Sequence, residues 1–300
     1  MPVKQKFHRK TKCSFAIIGA GMVGTAIGVL LKKAGNNIIC VCDKSPASLK
    51  RAAKYIKADA FKKSLDKAGR ADCLIITTPD DAISSACREI SALPDIKGKF
   101  VFHMSGAGGL NLLDTAAVSG AFVGSIHPLQ SFSSIENAMA NIEQSYFGIT
   151  ANGKARSMAK NIVADLKGIP LFISDKQKPL YHAAACFASN YLVALLYAVE
   201  SLYQATGIKE KQARQAYLPL VYGTLKNIQR SGSVHALTGP IARGDTGTIK
   251  KHMKTIKINA PLFVQLYSAL GMITTKLARQ KGTIGPSRVK LITDILKGVN

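Results

Sequence analysis

Short runs of β-branched and other apolar residues recur through the first half of the chain, each followed by a stretch in which apolar positions return every three or four residues. An unbroken apolar run of about four to eight residues marks a strand covered on both faces, and a recurrence near 3.6 marks a helix lying on the sheet. The pattern predicts strands over 15–18, 38–42, 73–77, 100–103, 121–125 and 147–150, with a last one near 171–174. It predicts helices over 23–34, 46–55, 82–91, 110–118 and 155–166. Strand and helix in alternation build a parallel α/β sheet. From Lys178 onward helical periodicity takes over, at 180–205, 209–229, 246–257, 260–280 and 286–297. The expectation is a doubly wound, mainly parallel α/β domain over 13–175 and an all-α domain over 176–300. The polar SDKQK stretch forms the junction, and Pro179 stands in the first turn of the long helix.

Size agrees with this division, because one core stops growing near ~250–300 residues and the chain has 300. With 47% hydrophobic and 19% charged residues it has the apolar material for real cores. Lys and Arg number 41 against 17 Asp and Glu, a net charge of +24 that attracts polyanions or phosphorylated small molecules. The basic residues are scattered, from Lys4, Lys6, Arg9, Lys10 and Lys12 to the C-terminus, and there is no Trp and no nucleic-acid reader motif. No dedicated nucleic-acid partner is therefore expected. Six cysteines show no CxxC pair and no metal-ligand spacing with His, which points to small hydrophobes in a reducing cytoplasm and to no metal site. The uncharged stretch 13–31 behind a basic start has the look of a signal anchor, but its glycines weaken a spanning helix, and no membrane partner is expected.

Those glycines carry the first chemistry. Gly19-x-Gly21-x-x-Gly24 follows a predicted strand and opens a predicted helix. In a Rossmann turn the first glycine permits the bend, the second admits a pyrophosphate to the backbone and the third lets helix and sheet approach. The N–H groups of Met22 and Val23, in the first helical turn, would face the phosphates. Asp43 ends the second predicted strand, where a carboxylate accepts the ribose hydroxyls and favours NAD; Lys44 and Ser45, with Lys50 and Arg51, leave NADP open. Asp43 also reads as a turn residue before Ser45-Pro46. Thr78 and Pro79 follow the strand at 73–77, at the edge where open α/β sheets bind ligands, and Asp81 reads as a helix cap. His103 and His127 stand at two strand ends beside Ser105 and further Ser and Gly residues, an arrangement that suggests a shared cleft. On the long helix, His182, Cys186, Ser189 and Asn190 share one stripe at about 100° per residue. That stripe faces a ligand or forms a polar seam between helices. Arg243, in a glycine-rich connection, suits a substrate carboxylate, and Asp245 suits a cap on the next helix.

The motifs GAGMVG (19–24), TTPDDAI (77–83), HMSGAGGL (103–110), IHPLQSF (126–132), YHAAACFASNYLVAL (181–195) and LTGPIARGDTGTI (237–249) together resemble a bacterial family. Its members are Rossmann-like proteins, assigned as NAD(P)-dependent oxidoreductases, whose C-terminal part is a domain of unknown function. More distantly the chain is similar to pyrroline-5-carboxylate reductase and the β-hydroxyacid dehydrogenases, which add a dimerising helical domain of the 6-phosphogluconate dehydrogenase type. The resemblance implies hydride transfer between nicotinamide and a small carbonyl, imine or hydroxy-acid substrate. The alternative is a non-catalytic dinucleotide-responsive binding or scaffold protein. In the β-hydroxyacid dehydrogenases a Lys four residues before an Asn transfers the proton. If Asn190 matches that Asn, Cys186 holds the Lys position, and the proton falls to His182, with His103 and His127 as further candidates. Asn190, Ser105, Ser189 and Arg243 would anchor the substrate. Helices 180–205 and 260–280 are apolar around much of their circumference, so a homodimer through the C-terminal domain is expected.

Overall fold

The computed structural model describes residues 13–298; the basic residues at positions 4–12 lie outside them. Eight strands form one sheet: β1 (Ser14–Ile18), β2 (Asn37–Cys42), β3 (Phe61–Lys62), β4 (Cys73–Ile76), β5 (Phe100–His103), β6 (Phe122–Pro128), β7 (Tyr146–Ala151) and β8 (Ile169–Phe172). Their order is β3-β2-β1-β4-β5-β6-β7-β8. The first six run parallel, β7 is antiparallel to β6, and β8 is parallel to β7. Alternation along the strands explains why both faces are covered. Phe15, Ile17, Cys73 and Ile75 enter one core, while Ala16, Ile18, Leu74 and Ile76 enter the other.

Helices α1 (Met22–Lys33), α2 (Pro46–Ala52), α3 (Asp80–Ser91), α4 (Asp114–Val118), α5 (Ile135–Ile142), α6 (Gly153–Asp165) and α7 (Lys178–Ala188) accompany the sheet. Residues of α1, α5 and α6 fill the first core, and those of α3 and α4 the second. The stretch 13–31 is thus β1, the glycine turn and most of α1, all within a packed sheet layer. Helix α5 was not legible in the periodicity; Ser134 caps it by accepting from Asn137 N–H. Strand β6 runs past the expected 125 to Pro128 because β7 pairs with it along that extension.

Two compact units divide between Ser189 and Asn190, whereas the change of texture placed the boundary at 175/176. The cause is local. Helix α7 stays with the sheet because Lys178 bonds to Ser105 and Ser125, and Tyr181 to His127. The expected 180–205 helix is interrupted at Ser189, whose φ of −120° and ψ of −73° are not helical. In the second unit, α8 (Asn190–Gln204), α9 (Glu210–Ala236), α10 (Thr246–Asn259), α11 (Val264–Lys281) and α12 (Pro286–Lys297) enclose a small core of Ile241, Ile249, Ala278, Ile284, Ile292, Ile295 and Leu296. Among the described residues one stretch, Asp175–Gln204, is long and apolar enough to cross a membrane by length and composition alone; it includes the buried Lys178.

Candidate active site

Strand β1 has β2 on one side and β4 on the other, so the connections leaving these strands diverge and open a crevice at their carboxyl ends. A cavity of about 370 Å³ occupies it, lined among others by Gly19, Gly21, Asp43, Lys44, Ser48, Lys63, Thr78 and Pro79. The three glycines divide the work. Gly19 has a φ of +108°, and a Cβ there would lie 2.8 Å from the Thr77 carbonyl carbon. At Gly24 a Cβ would lie 2.1 Å from the Gly19 carbonyl oxygen and 2.3 Å from Thr77 Oγ1, so α1 can pack on the sheet only without one. A Cβ on Gly21 would meet nothing within 4 Å, so this glycine borders open space. Helix α1 starts there with no side-chain cap and no acid in its first turn, leaving its positive end available. The Thr78 hydroxyl, also on the crevice, is buried without a partner among the described residues. Free helix-terminal amides, an open Gly21 and an orphaned hydroxyl fit a dinucleotide whose diphosphate rests on the turn.

The residues around Asp43 sort differently from expectation. Its two carboxylate oxygens accept from the Ala20 and Ser45 N–H groups, each at 2.7 Å, so it ties the glycine turn to the next turn. Ser45 caps α2, its hydroxyl accepting from Ser48 N–H, and Ser48 rather than Ser45 lines the cavity. Lys44 pairs with Glu89 at 3.2 Å on the exposed rim.

A second cluster adjoins the crevice through Asp80, which follows Thr78 and Pro79. Asp80 accepts from the Ser105 hydroxyl at 2.6 Å, and that hydroxyl accepts in turn from Gly108 N–H. Ser105 is buried and its hydroxyl committed, which corrects its expected role as a substrate anchor: it shapes the loop after β5. His103 also shapes it. Its Nδ1 accepts from Ser105 N–H, so its Nε2 carries the proton and donates to the Gly109 carbonyl at 3.2 Å. Burial, then the neighbouring Lys178, hold its pKa down to about 4. A fully buried neutral imidazole with both nitrogens bonded to backbone cannot exchange protons with a substrate, so the acid/base role expected for His103 is withdrawn.

His127 and His182 remain, and they meet. Their ring centroids are 5.6 Å apart at 83°, and both point at Gly106. A Cβ on Gly106 would lie 2.3 Å from His182 Nδ1 and 2.8 Å from His127 Nε2. Tyr181 Oη lies within hydrogen-bond distance of His127 Nδ1, at 3.0 Å, and burial pushes the phenol's pKa up, so the phenol keeps its proton. His127 Nε2 faces Gly106, beside His182. Burial, then His182 and Lys178, lower the His127 pKa to about 4. His182 Nδ1 is buried without a partner among the described residues, while its Nε2 lies 3.7 Å from Cys186 Sγ.

The polar stripe extends no further. Ser189 ends α7 and is exposed, and Asn190 begins α8 in the second unit, so the break removes the common face that an unbroken helix would have given them. Arg243 is exposed in the second unit, and Asp245 caps α10 through Thr248 N–H. Pro79, not Asp81, is the cap position of α3; Asp80 and Asp81 occupy its first turn. Three residues of the cluster escaped the sequence analysis: Asp80, Tyr181 and Lys178. Lys178 offered the one usable signal, a cation in the first turn of a helix, where the dipole disfavours it.

These features define a Rossmann-like protein with an open dinucleotide crevice and an imidazole pair beside it. Residues 1–128 match the Rossmann-like domain family, and residues 145–274 match DUF2520, a domain of unknown function. Among curated proteins none matches the chain. Solved structures share the fold. A protein of Bacteroides fragilis assigned as an NADP oxidoreductase is 20% identical, with a TM-score of 0.74 over 88% of this chain and 98% of that one. A Thermotoga maritima protein is 24% identical, with a TM-score of 0.70 over 89% and 99%. Pyrroline-5-carboxylate reductase of Coxiella burnetii is 14% identical, with a TM-score of 0.60 over 95% and 99%.

Proposed function

We propose that the protein is an NAD(P)-dependent oxidoreductase acting on a small carbonyl, imine or hydroxy-acid substrate. The observation that carries this is the meeting of His127 and His182 over Gly106, on the loop that Asp80 ties to the nucleotide crevice. A nicotinamide dinucleotide supplies or takes the hydride when bound. The α1 amides would hold its diphosphate, and Thr78 and Pro79 would border its reactive half. The proton is the chain's task. A neutral imidazole accepts it as a hydroxyl or amine is oxidised and returns it in the reverse direction. His182 is the group for this role, because its buried Nδ1 has no partner among the described residues, with His127 and its Tyr181 bond fixing the neighbouring ring. The neighbour named as pyrroline-5-carboxylate reductase supports imines within the substrate class.

For the adenosine end we read a 2′-phosphate, against the NAD preference drawn from Asp43 alone. Asp43 already accepts one backbone N–H on each oxygen, while Lys44, Ser48 and Lys63 bring two cations and a hydroxyl to the same cavity. The test is titration of the full chain with each reduced nicotinamide nucleotide, followed by fluorescence. NADPH is expected to bind at least about tenfold more tightly than NADH. Binding of neither removes the functional proposal; equal binding removes only the preference. With a panel of cyclic imines and small ketones, His182→Ala is expected to keep NADPH affinity and lose at least about a hundredfold in turnover. Unchanged turnover would take the proton role from His182.

The same reading includes self-association, and the second unit's surface supports it. Val193 is 68% exposed, Leu220 68% and Leu262 79%, and Tyr197, Tyr222 and Ile273 are also exposed, beside a core of only a few side chains. Such an apolar surface suits a second copy of the chain. Light scattering is expected to give the mass of a dimer at micromolar concentration, and a monomer would overturn this.

A further inference from the structure

Lys178 is 1% exposed although it is the first residue of α7, where the helix dipole adds positive potential to its own charge. A cation buried at such an end persists only if acceptors hold it. Its Nζ donates to the Ser105 carbonyl at 3.0 Å and to Ser125 Oγ at 2.7 Å, and Ser125 Oγ donates onward to the same carbonyl at 3.3 Å. The ammonium thereby joins three segments: the loop after β5, the end-level of β5 on β6, and the helix that carries Tyr181 and His182. Asp80 completes the arrangement from α3 by holding the Ser105 hydroxyl. Asp175, just before α7, accepts from Leu110 N–H at the far end of the same loop.

We propose that Lys178 is a positioning residue for the imidazole pair: its buried ammonium pins the Ser105 carbonyl and Ser125 hydroxyl to α7, sets the Gly106 backbone against His127 and His182, and holds a fixed positive charge beside them. Its catalytic meaning rests on the proton role proposed above for that pair; the pinning and the charge do not. The charged and titratable groups around His127 are His182 and Tyr181 on α7, Lys178 itself, Asp80 on α3 and His103 on β5. Lys178 and the two other imidazoles oppose a proton on His127, and Asp80 favours one. Burial lowers the Lys178 pKa to about 8, with Asp175 and Asp80 resisting, so the ammonium is charged at neutral pH.

The experiment is NMR titration of the histidine Cε1–H resonances in the full chain for wild type, Lys178→Gln and Lys178→Arg. Glutamine can still donate to both acceptors but carries no charge. In Lys178→Gln the His127 midpoint is expected to rise by about one pH unit, as loss of a nearby charge predicts. In Lys178→Arg it is expected to stay at the wild-type value. A folded Lys178→Gln protein with an unmoved His127 midpoint overturns the proposal, and so does an arginine variant that behaves like glutamine. Should the glutamine variant not fold, wild type decides: the His127 and His103 resonances are expected to show a second inflection near pH 8, as the ammonium deprotonates, and a flat response overturns the proposal. NADPH titration of the same samples keeps the two ideas apart. A wild type that binds no nicotinamide nucleotide would end the catalytic proposal while leaving the Lys178 effect on His127 readable.

Discussion

Gly24→Ala is expected to unfold the first unit more easily by about 2 kcal/mol or more, whereas Gly21→Ala is expected to leave its stability within about 1 kcal/mol and to weaken NADPH binding at least about tenfold. The contrast separates two glycines of one motif by what surrounds them. A methyl on Gly24 would sit 2.1 Å from the Gly19 oxygen and 2.3 Å from Thr77 Oγ1. Neither can yield freely. Thr77 Oγ1 donates to that oxygen at 2.7 Å, and Gly19 N–H is fixed to the Cys42 carbonyl at 2.7 Å. Moving α1 away would break contacts of Ala26 and Ile27 with the sheet core. The gain of about 1 kcal/mol that alanine brings to a helix interior does not offset this overpacking. Gly21 has a φ of −70° and a ψ of −170°, which any residue adopts, and its missing side chain faces open space. A methyl there costs the apo protein little and occupies the approach to the α1 amides. Hydrogen exchange of the β1 and α1 amides reports the first effect, and nucleotide titration the second. Equal destabilisation by both substitutions would show that the triplet serves packing alone, and the crevice would lose its main support.

How far the sequence carried the structure depended on whether a feature was local. Strands β1, β2, β4 and β5 were legible because most of their residues are buried and they read as unbroken apolar runs, as Cys73–Ile76 does. The glycine triplet was legible because each glycine meets a need set by the strand before it and the helix after it. Strand β3 is two residues long and exists only through its pairing with Val41 and Cys42, so no periodicity announces it. The break at Ser189 also escaped, since residues 180–205 satisfy a helical pattern throughout and the pegs that hold α7 to the sheet lie far away in sequence, at Ser105, Ser125 and His127. The histidines show the same limit. His103 and His127 occupy corresponding strand ends, beside Ser and Gly residues, and looked alike. Only the path of the loop decides that one spends both ring nitrogens on backbone while the other turns its Nε2 toward a second imidazole. For Asp43 the sequence left a ribose ligand and a turn residue open; it bonds the Ala20 and Ser45 N–H groups as a turn residue does, and it also lines the cavity.

Acidification is expected to remove about 5 kcal/mol of the first unit's stability between pH 6.5 and pH 4, before most carboxylates titrate. Two imidazoles carry the effect. His103 and His127 each have a pKa lowered to about 4 by burial first and by neighbouring positive groups second. In the unfolded chain both titrate near 6.5. Across that window the unfolded state binds two protons that the folded state does not, so stability falls as pH falls, and the loss is complete once the folded imidazoles protonate near pH 4. A difference of this size corresponds to about 3 kcal/mol for the fully buried His103 and somewhat less for the half-buried His127. That approaches the whole stability of a typical domain. Hydrogen exchange of β5 and β6 amides against pH measures it where it arises, independently of the helical unit. His127→Gln is expected to reduce the loss by somewhat less than half, and Lys178→Gln to narrow the window by raising the folded His127 pKa. A first unit equally protected at pH 6.5 and pH 4.5 would mean that these imidazoles are charged, or free to become so, in the folded protein, and neutral His127 could no longer stand beside His182 as the partner of a proton-accepting base.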